Sequence, residues 1–441
     1  MTKVLLLGKD GRTDCMAEAL ANDGAELLVL SDFESPGLTR RAAQFRLDRC
    51  DNVPAVVDFA RRFRPDLVVV GPEDPLAAGV VDEVQRCLKI PCFGPTQALA
   101  RLESSKSFTR ALLREYDIPG QVEHRVFHDE LGLADYAREL GEFVVKPDGL
   151  TGGKGVRVMG DHFQTPEQGI AYATDLLRSG QGPVLVEEKL EGEEFSLQSV
   201  SDGEVVVDLP PVQDHKRAYP GDVGPNTGGM GSYSCETHSL PFLPAGQLAQ
   251  ASAINAATAR ALVCVTGQPY RGVLYGGFMA TATGVRLIEY NARFGDPEAL
   301  NVIPLLRSGF LDLCLAAATG TLRTLEVRFQ PLATVCKYLV PEGYPSDPRR
   351  DVPFRFRRPI DVNERLRLYY AAVRQVGEEL RLVGSRAVAL VGLANSVSEA
   401  SDLVESAISL VDGPVVHRPD IGTPELLARR VAHMQRLLAI A

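Results

Sequence analysis

Within the first hundred residues, short apolar runs alternate with amphipathic helical text, and that rhythm restricts what the chain can build. Strand-like runs at Lys3–Leu7, Glu26–Leu30, Leu67–Val70 and Cys92–Phe93 are separated by helical segments, among them Cys15–Asn22, Val56–Phe63 and Leu76–Leu88. Strands spaced by helices of this length predict a parallel sheet with right-handed crossovers. Such sheets take ligands at the carboxyl ends of their strands, which directs attention to the loops beginning at Gly8 and Gly71.

The middle of the chain reads differently. Helix Lys106–Glu115 leads to strands at Gln121–Phe127 and Phe143–Lys146, a glycine-rich loop, helix Pro166–Ser179 and strand Val184–Glu188. From Gln213 to Ser234 glycine, proline and polar residues dominate with hardly any period, the mark of a binding loop rather than an idle linker. A helix over Gln247–Val265, strands at Gly272–Thr281 and Val285–Tyr290, and a helix over Pro297–Thr319 complete this region. A further unit opens near Ala333, with strands at Val335–Val340, Leu366–Val373 and Ala387–Leu393 and a helix over Ser396–Leu410. The expected architecture is α/β: an N-terminal parallel-sheet domain over 1–102, a central α+β domain over 103–325 with a subdomain near 121–190, and a small C-terminal α/β domain over 330–441.

Size and charge narrow the function. A chain of 441 residues exceeds one ordinary core. Its formal charge of -10 argues against a general nucleic-acid binder, because a phosphate backbone needs a basic face. A phosphorylated small molecule needs only local donors. With no window of about 18 apolar residues and no signal-like cleavage pattern, the expectation is a cytoplasmic protein with no membrane partner. The 8 cysteines are scattered without a CxxC pair, which favours reduced thiols over a zinc site.

Three segments carry candidate chemistry. In KPDGLTGGKGV, Lys146 ends a strand and Lys154 sits among Gly152, Gly153 and Gly155. Glycines let backbone N–H groups converge on an anion and the second lysine adds a mobile positive charge, which suits a polyphosphate. A plain hairpin turn is the competing reading, and a Walker A loop is excluded by Asp148 and Gly155. In VLVEEKLEGEEFS an apolar strand runs into an acidic patch. Its end offers backbone groups to an adenine edge and Glu194 suits ribose hydroxyls, while a solvated acidic hairpin explains the same letters. In VRLIEYNARFGDPE the strand period puts Glu289, Asn291 and Arg293 on one face. Glu and Asn are hard oxygen ligands for a magnesium bridging nucleotide phosphates, and Arg293 would stabilise charge on a transferring phosphoryl or acyl phosphate.

Together with GPEDPLAAGVVD (Gly71–Asp82), FGPTQALARLESSKSFTR (Phe93–Arg110), QDHKRAYPGDVGPNTGGMGSYS (Gln213–Ser234), KYLVPEGYP (Lys337–Pro345) and SRAVALVGL (Ser385–Leu393), these strings resemble the phosphoribosylamine-glycine ligase family of the ATP-grasp superfamily. The likeness spans nearly the whole chain. It implies a substrate-binding pre-ATP-grasp domain, an ATP-grasp domain with a mobile lid, and a C-terminal domain. It also implies ATP with Mg2+ or Mn2+, the metal held by Glu289 and Asn291. Lys106 and Lys146 would lie near the α- and β-phosphates, Gly152–Gly155 would close over them, Glu187, Glu188 and Leu190 would meet adenine, and Glu194 the ribose. Glycine's carboxylate would take the γ-phosphoryl group to give glycyl phosphate, which the amine of 5-phosphoribosylamine then attacks. Arg293, Asp214 and Lys154 are the implied catalytic residues, with Asp214 facing the substrate ammonium. Arg293 and the backbone at Gly228 and Gly229 would face developing negative charge. Lys216, Arg217, Asp296 and Pro297 complete that pocket, and Gly8, Gly11, Arg12, Pro72 and Glu73 would hold the sugar phosphate. The partners are then small molecules, and the chain a monomer or weak homodimer.

One departure bears on the substrate. Where the family opens with a turn resembling GNGGREHA, this chain reads Gly8-Lys9-Asp10-Gly11-Arg12-Thr13-Asp14-Cys15. Thr13 and Asp14 replace the glutamate and histidine, and Asp10 and Thr13 also break the dinucleotide pattern, so NAD is not expected. The altered turn leaves open a related ligase with another acid or amine, and a silent nucleotide-binding sensor is a third reading.

Overall fold

The computed structural model describes residues 1–150 and 155–440. The amino-terminal sheet is parallel throughout, in the order Gln44–Leu47, Glu26–Ser31, Lys3–Leu7, Leu67–Val70, Cys92–Phe93, and its register sets Val4 beside Leu27 and Leu67. Helices cover both faces, so Val4, Leu5, Leu6 and Leu7 are wholly buried. The edge strand Gln44–Leu47 was not expected, because QFRL offers no apolar run. Helix Gly11–Asn22 starts well before the expected Cys15: the Asp10 carboxylate caps it, accepting from Thr13 N at 3.0 Å and Thr13 Oγ1 at 2.7 Å. The expected helix Leu76–Leu88 is two, Asp74–Ala77 and Val80–Leu88, separated by Gly79 in the left-handed region at φ 81°.

Two antiparallel sheets form the middle. The smaller runs His124–Phe127, Val184–Glu188, Phe143–Pro147, Arg157–Val158, and with helices Leu133–Leu140 and Pro166–Arg178 it encloses its own core around Phe127, Phe143, Val145, Ala173 and Val186. The larger runs Val206–Asp208, Glu193–Asp202, Arg271–Thr281, Gly284–Asn291. Helix Gln247–Thr266 lies across it and buries Ala251, Ile254 and Asn255. Against the expectation of no such window, this helix is long and apolar enough to cross a membrane; Ala251, Ile254, Ala259, Ala261 and Leu262 on it pack into the core, while Val265 is exposed. The expected helix Pro297–Thr319 is broken into Glu298–Val302, a 3-10 turn at Ile303–Leu305 and Phe310–Thr319, since Pro304 has no N–H to continue the first piece. The seemingly periodless Gln213–Ser234 holds four short strands, Gln213–Asp214, Arg217–Tyr219, Val223–Asn226 and Gly231–Ser234. Backbone pairing builds them, so no alternation of side chains announces them.

Another sheet joins the two sides of residue 330. Its order is Gln213–Asp214, Gly231–Ser234, Ala333–Pro341, Val388–Ala394, Leu366–Tyr370, and its central joint sets Ser232 beside Cys336. Helix Pro424–Ile440 then returns across strand Glu193–Asp202, where His433 Nδ1 lies 2.6 Å from Glu193 Oε1.

Candidate active site

A cleft of about 600 Å³ is walled by the two middle sheets and by the segment 213–228. On strand Gly284–Asn291 a bulge sets Glu289 beside Gly277 and Leu287 beside Phe278. Glu289, Asn291 and, past the strand end, Arg293 all line the cleft. Burial works to raise the Glu289 pKa, but Lys216, Lys146 and Lys106 together hold it below the usual carboxylate range. Among the described residues no group of three His, Cys, Asp or Glu side chains is placed to hold a metal. A carboxylate and an amide oxygen suit magnesium, which takes one or two protein ligands and completes its shell with water and phosphate oxygens.

Opposite that strand, the lysines are held by fixed partners. Lys146 Nζ stands 2.6 Å from Glu187 Oε2 and donates to the Ile288 carbonyl at 3.3 Å. Arg110, itself buried, donates to both Glu187 oxygens at 2.7 and 3.0 Å and to the carbonyls of Leu287 and Ile288, each at 2.9 Å. Lys106 Nζ donates to the carbonyls of Pro147 and Gly149 at 3.2 and 2.8 Å, at the base of the glycine loop. Burial lowers the Lys106 pKa, with Glu289 pulling the other way. Gly152, Gly153 and Lys154 lie outside the described residues, and the Gly155 carbonyl accepts from Tyr172 Oη at 2.9 Å. Glu188 lines the cleft too, although its carboxylate accepts from the Glu123 amide at 2.9 Å. Leu190 and Glu194 also line it, and Glu194 Oε2 is 3.3 Å from Lys216 Nζ, the foremost reason the Lys216 pKa rises.

At the far end Asp214 is joined by Glu298. Burial, and then the Glu298 charge, push Asp214 well above its ordinary value, and Glu298 Oε1 accepts from Tyr275 Oη at 2.6 Å. Gly229 has φ 107° and approaches so closely that a Cβ there would meet Asp214 Oδ1 at 2.8 Å and Pro297 Cδ at 2.6 Å. Arg386 clamps this turn, donating to the carbonyls of Gly228, Gly229 and Asp296 at 2.6, 3.1 and 2.8 Å. Asp296 Oδ1 accepts from Tyr338 Oη at 2.6 Å. Arg293 is fixed by two carboxylates, Glu73 at 3.1 Å and Glu103 at 3.0 Å.

The first turn is placed apart from the cleft wall. Arg12 is buried, paired with Asp10 and bound to the Phe294 carbonyl, while its amide donates to Asp296 Oδ2 at 3.3 Å. Gly8 and Pro72 pack together around Thr13, and Gly11 faces Tyr338. Arg110, Glu103, Tyr275 and Glu298 were passed over by sequence reasoning. Glu298 had a signal, standing directly after Asp296 and Pro297; Arg110 and Glu103 read as ordinary helix charges.

Three family models match the chain: the N domain of phosphoribosylglycinamide synthetase at residues 2–103, its ATP-grasp (A) domain at 104–299 and its C domain at 334–424. The phosphoribosylamine-glycine ligase of Pyrococcus horikoshii is 44% identical over 436 residues, covering 99% of this chain and 98% of its own. That of Methanoregula boonei is 44% identical over 437 residues, covering 99% and 100%. The crystal structure of phosphoribosylamine-glycine ligase from Thermotoga maritima superposes with a TM-score of 0.80 at 26% identity, over 95% of this chain and 100% of that one. The biotin carboxylase domain of a Hydrogenobacter thermophilus carboxylase shares the fold, with a TM-score of 0.71 at 17% identity over 98% of this chain and 94% of its own. With all three domain models matched in order and full-length relatives at this identity, the chain belongs to the phosphoribosylglycinamide synthetase, or phosphoribosylamine-glycine ligase, family of ATP-grasp proteins.

Proposed function

We propose that the chain ligates glycine to 5-phosphoribosylamine with ATP, giving glycinamide ribonucleotide, ADP and phosphate in purine biosynthesis. The observation that carries this reading is the meeting, in one cleft, of Glu289, Asn291 and Arg293 with Lys106 and Lys146 on one side and Asp214 with Glu298 on the other. Lys106 and Lys146 draw the triphosphate to the strand end, where Glu289 and Asn291 would hold Mg2+ or Mn2+, an ion that neutralises phosphate charge during transfer. Asp214 and Glu298 form an anionic corner that suits the glycine ammonium and leaves its carboxylate facing the γ-phosphate. That carboxylate attacks, ADP leaves, and glycyl phosphate forms. The amine of phosphoribosylamine then attacks the carbonyl carbon and phosphate departs, with Arg293 and the Gly228–Gly229 turn facing the negative charge. The lid, with its separate core, moves as a body that keeps water from the acyl phosphate. All 8 cysteines are free thiols, which supports a cytoplasmic setting.

The capture of Arg12 by Asp10 favours one alternative, a different phosphorylated amine. One assay decides. ADP release is expected to require glycine and freshly generated phosphoribosylamine together, and to vanish in Glu289→Ala while the fold persists. Release with another amine, and none with phosphoribosylamine, would transfer the assignment to the alternative; full activity of Glu289→Ala would sink the metal site.

A further inference from the structure

The matched C domain ends at residue 424, where helix Pro424–Ile440 begins, and that helix reaches the cleft wall through Arg430. Arg430 Nη2 is 2.6 Å from Asp222 Oδ2 and its Nη1 is 3.3 Å from Glu193 Oε2. Asp222 sits at the tip of the hairpin made by Arg217–Tyr219 and Val223–Asn226, with φ 60°, a left-handed turn conformation that aspartate tolerates. A second arginine grips the same tip: the fully buried Arg418 donates to Asp222 Oδ1 at 2.8 Å and to the Arg217 carbonyl at 3.1 Å. Asp420 accepts from the Gly221 amide at 3.0 Å. The hairpin is thus held from behind by residues 418–430. Its front edge meets the lid, because the Arg217 guanidinium pairs with Asp161, beside the lid strand Arg157–Val158.

We infer that Arg430 is a positioning residue: by fixing the hairpin it presents Arg217 to Asp161 and keeps the lid shut over the acyl phosphate. The inference rests on the ligation reading above. When the lid stays open, water attacks the carbonyl carbon of glycyl phosphate, the bond from that carbon to the phosphate oxygen breaks, and glycine, phosphate and a proton are released. ATP is then consumed without product.

The test measures ADP and glycinamide ribonucleotide in the same reactions of the full-length enzyme. Arg430→Ala and Asp161→Ala are each expected to raise ADP per product by about 3-fold or more, with KM for ATP changed by less than about 3-fold. The double variant is expected to be no worse than the single ones, and Arg430→Lys to recover part of the coupling. Asp222→Asn, which weakens the same grip from the hairpin side, replaces Arg430→Ala if that protein does not fold. A wild-type ratio in Arg430→Ala or its replacement, or uncoupling by Asp161→Ala alone, overturns the inference. Wild-type enzyme that makes no product from glycine and phosphoribosylamine defeats the ligation reading instead.

Discussion

Lys146 and Glu187 stand 2.6 Å apart on neighbouring strands of the lid sheet, and Arg110, from the helix below, grips the same carboxylate at 2.7 Å. Glu187 therefore ties the lid to helix Lys106–Glu115 and, through the Arg110 bonds to the Leu287 and Ile288 carbonyls, to the strand that carries Glu289 and Asn291. The Lys146 ammonium keeps its direction because a buried anion holds it.

Replacing Glu187 with Gln strands two buried cations, and the expected loss is about 3–5 kcal/mol of stability at neutral pH. Burial works to raise the Glu187 pKa, yet Arg110 and Lys146 bring it down to about 2 from 4.5. A depressed acid stabilises above its unfolded pKa and loses that contribution as pH falls through the folded one. The gap between wild type and Glu187→Gln should accordingly narrow between pH 4.5 and 2. Urea titrations at neutral and at acid pH read it, and an equal gap at both ends rules out the ion pair as the cause.

Glu103 runs the opposite way. Burial pushes it up to about 7 from 4.5, against the pull of Arg293. The folded protein then binds a proton that the unfolded chain has released, and stability falls as pH rises across that interval. Glu103→Gln imitates the protonated form and retains an acceptor for the Ala292 amide, so its stability relative to wild type should improve as pH rises from about 4 to about 8, whatever the loss of the Arg293 contact costs at both ends. A relative stability that stays flat or falls over that range contradicts this.

Asp214→Asn should raise the KM for glycine by about 10- to 100-fold with the ATP KM little changed, since the ammonium loses a carboxyl group that its own positive charge would bring to the ionised form. Thermal stability should hold or rise, because one of two crowded buried carboxylates is gone. Steady-state rates with each substrate varied separate the outcomes; a shift in the ATP constant alone would move Asp214 to the nucleotide end.

Gly11→Ala puts a Cβ 2.1 Å from Tyr338 Oη, the hydroxyl that donates to Asp296. The expected cost is about 1–3 kcal/mol of overpacking. In a Tyr338→Phe background the worst contact is gone and only the ring carbon at 3.2 Å remains close, so the cost should shrink, which a double-mutant cycle of melting temperatures detects. Additive losses would refute the contact.

What could be read from letters was whatever a local period or an unusual string announces. Lys3–Leu7, Leu67–Val70, Lys106–Glu115 and Val184–Glu188 occur in the structure with those bounds, because apolar spacing and flanking turns specify them. Glu289, Asn291 and Arg293 all line the cleft, but so do Ile288 and Tyr290, and Arg293 stands past the strand end, so the strand period alone does not account for their meeting. Roles that depend on residues distant in sequence were hidden. Nothing near Arg12 says that Phe294 will take its guanidinium, and nothing near Glu187 names Arg110. Gly79 and Pro304 interrupt helices that the apolar text on both sides makes look continuous.

The pairing of Ser232 with Cys336 also carries a message about synthesis. During translation the strand Gly231–Ser234 waits with an unmatched edge while a further hundred residues emerge, and only then does Ala333–Pro341 cover it. A gene cut at the apparent seam near 330 would yield two polypeptides with raw, mutually sticky margins, and coexpression rather than separate expression is the route by which such halves would become an enzyme.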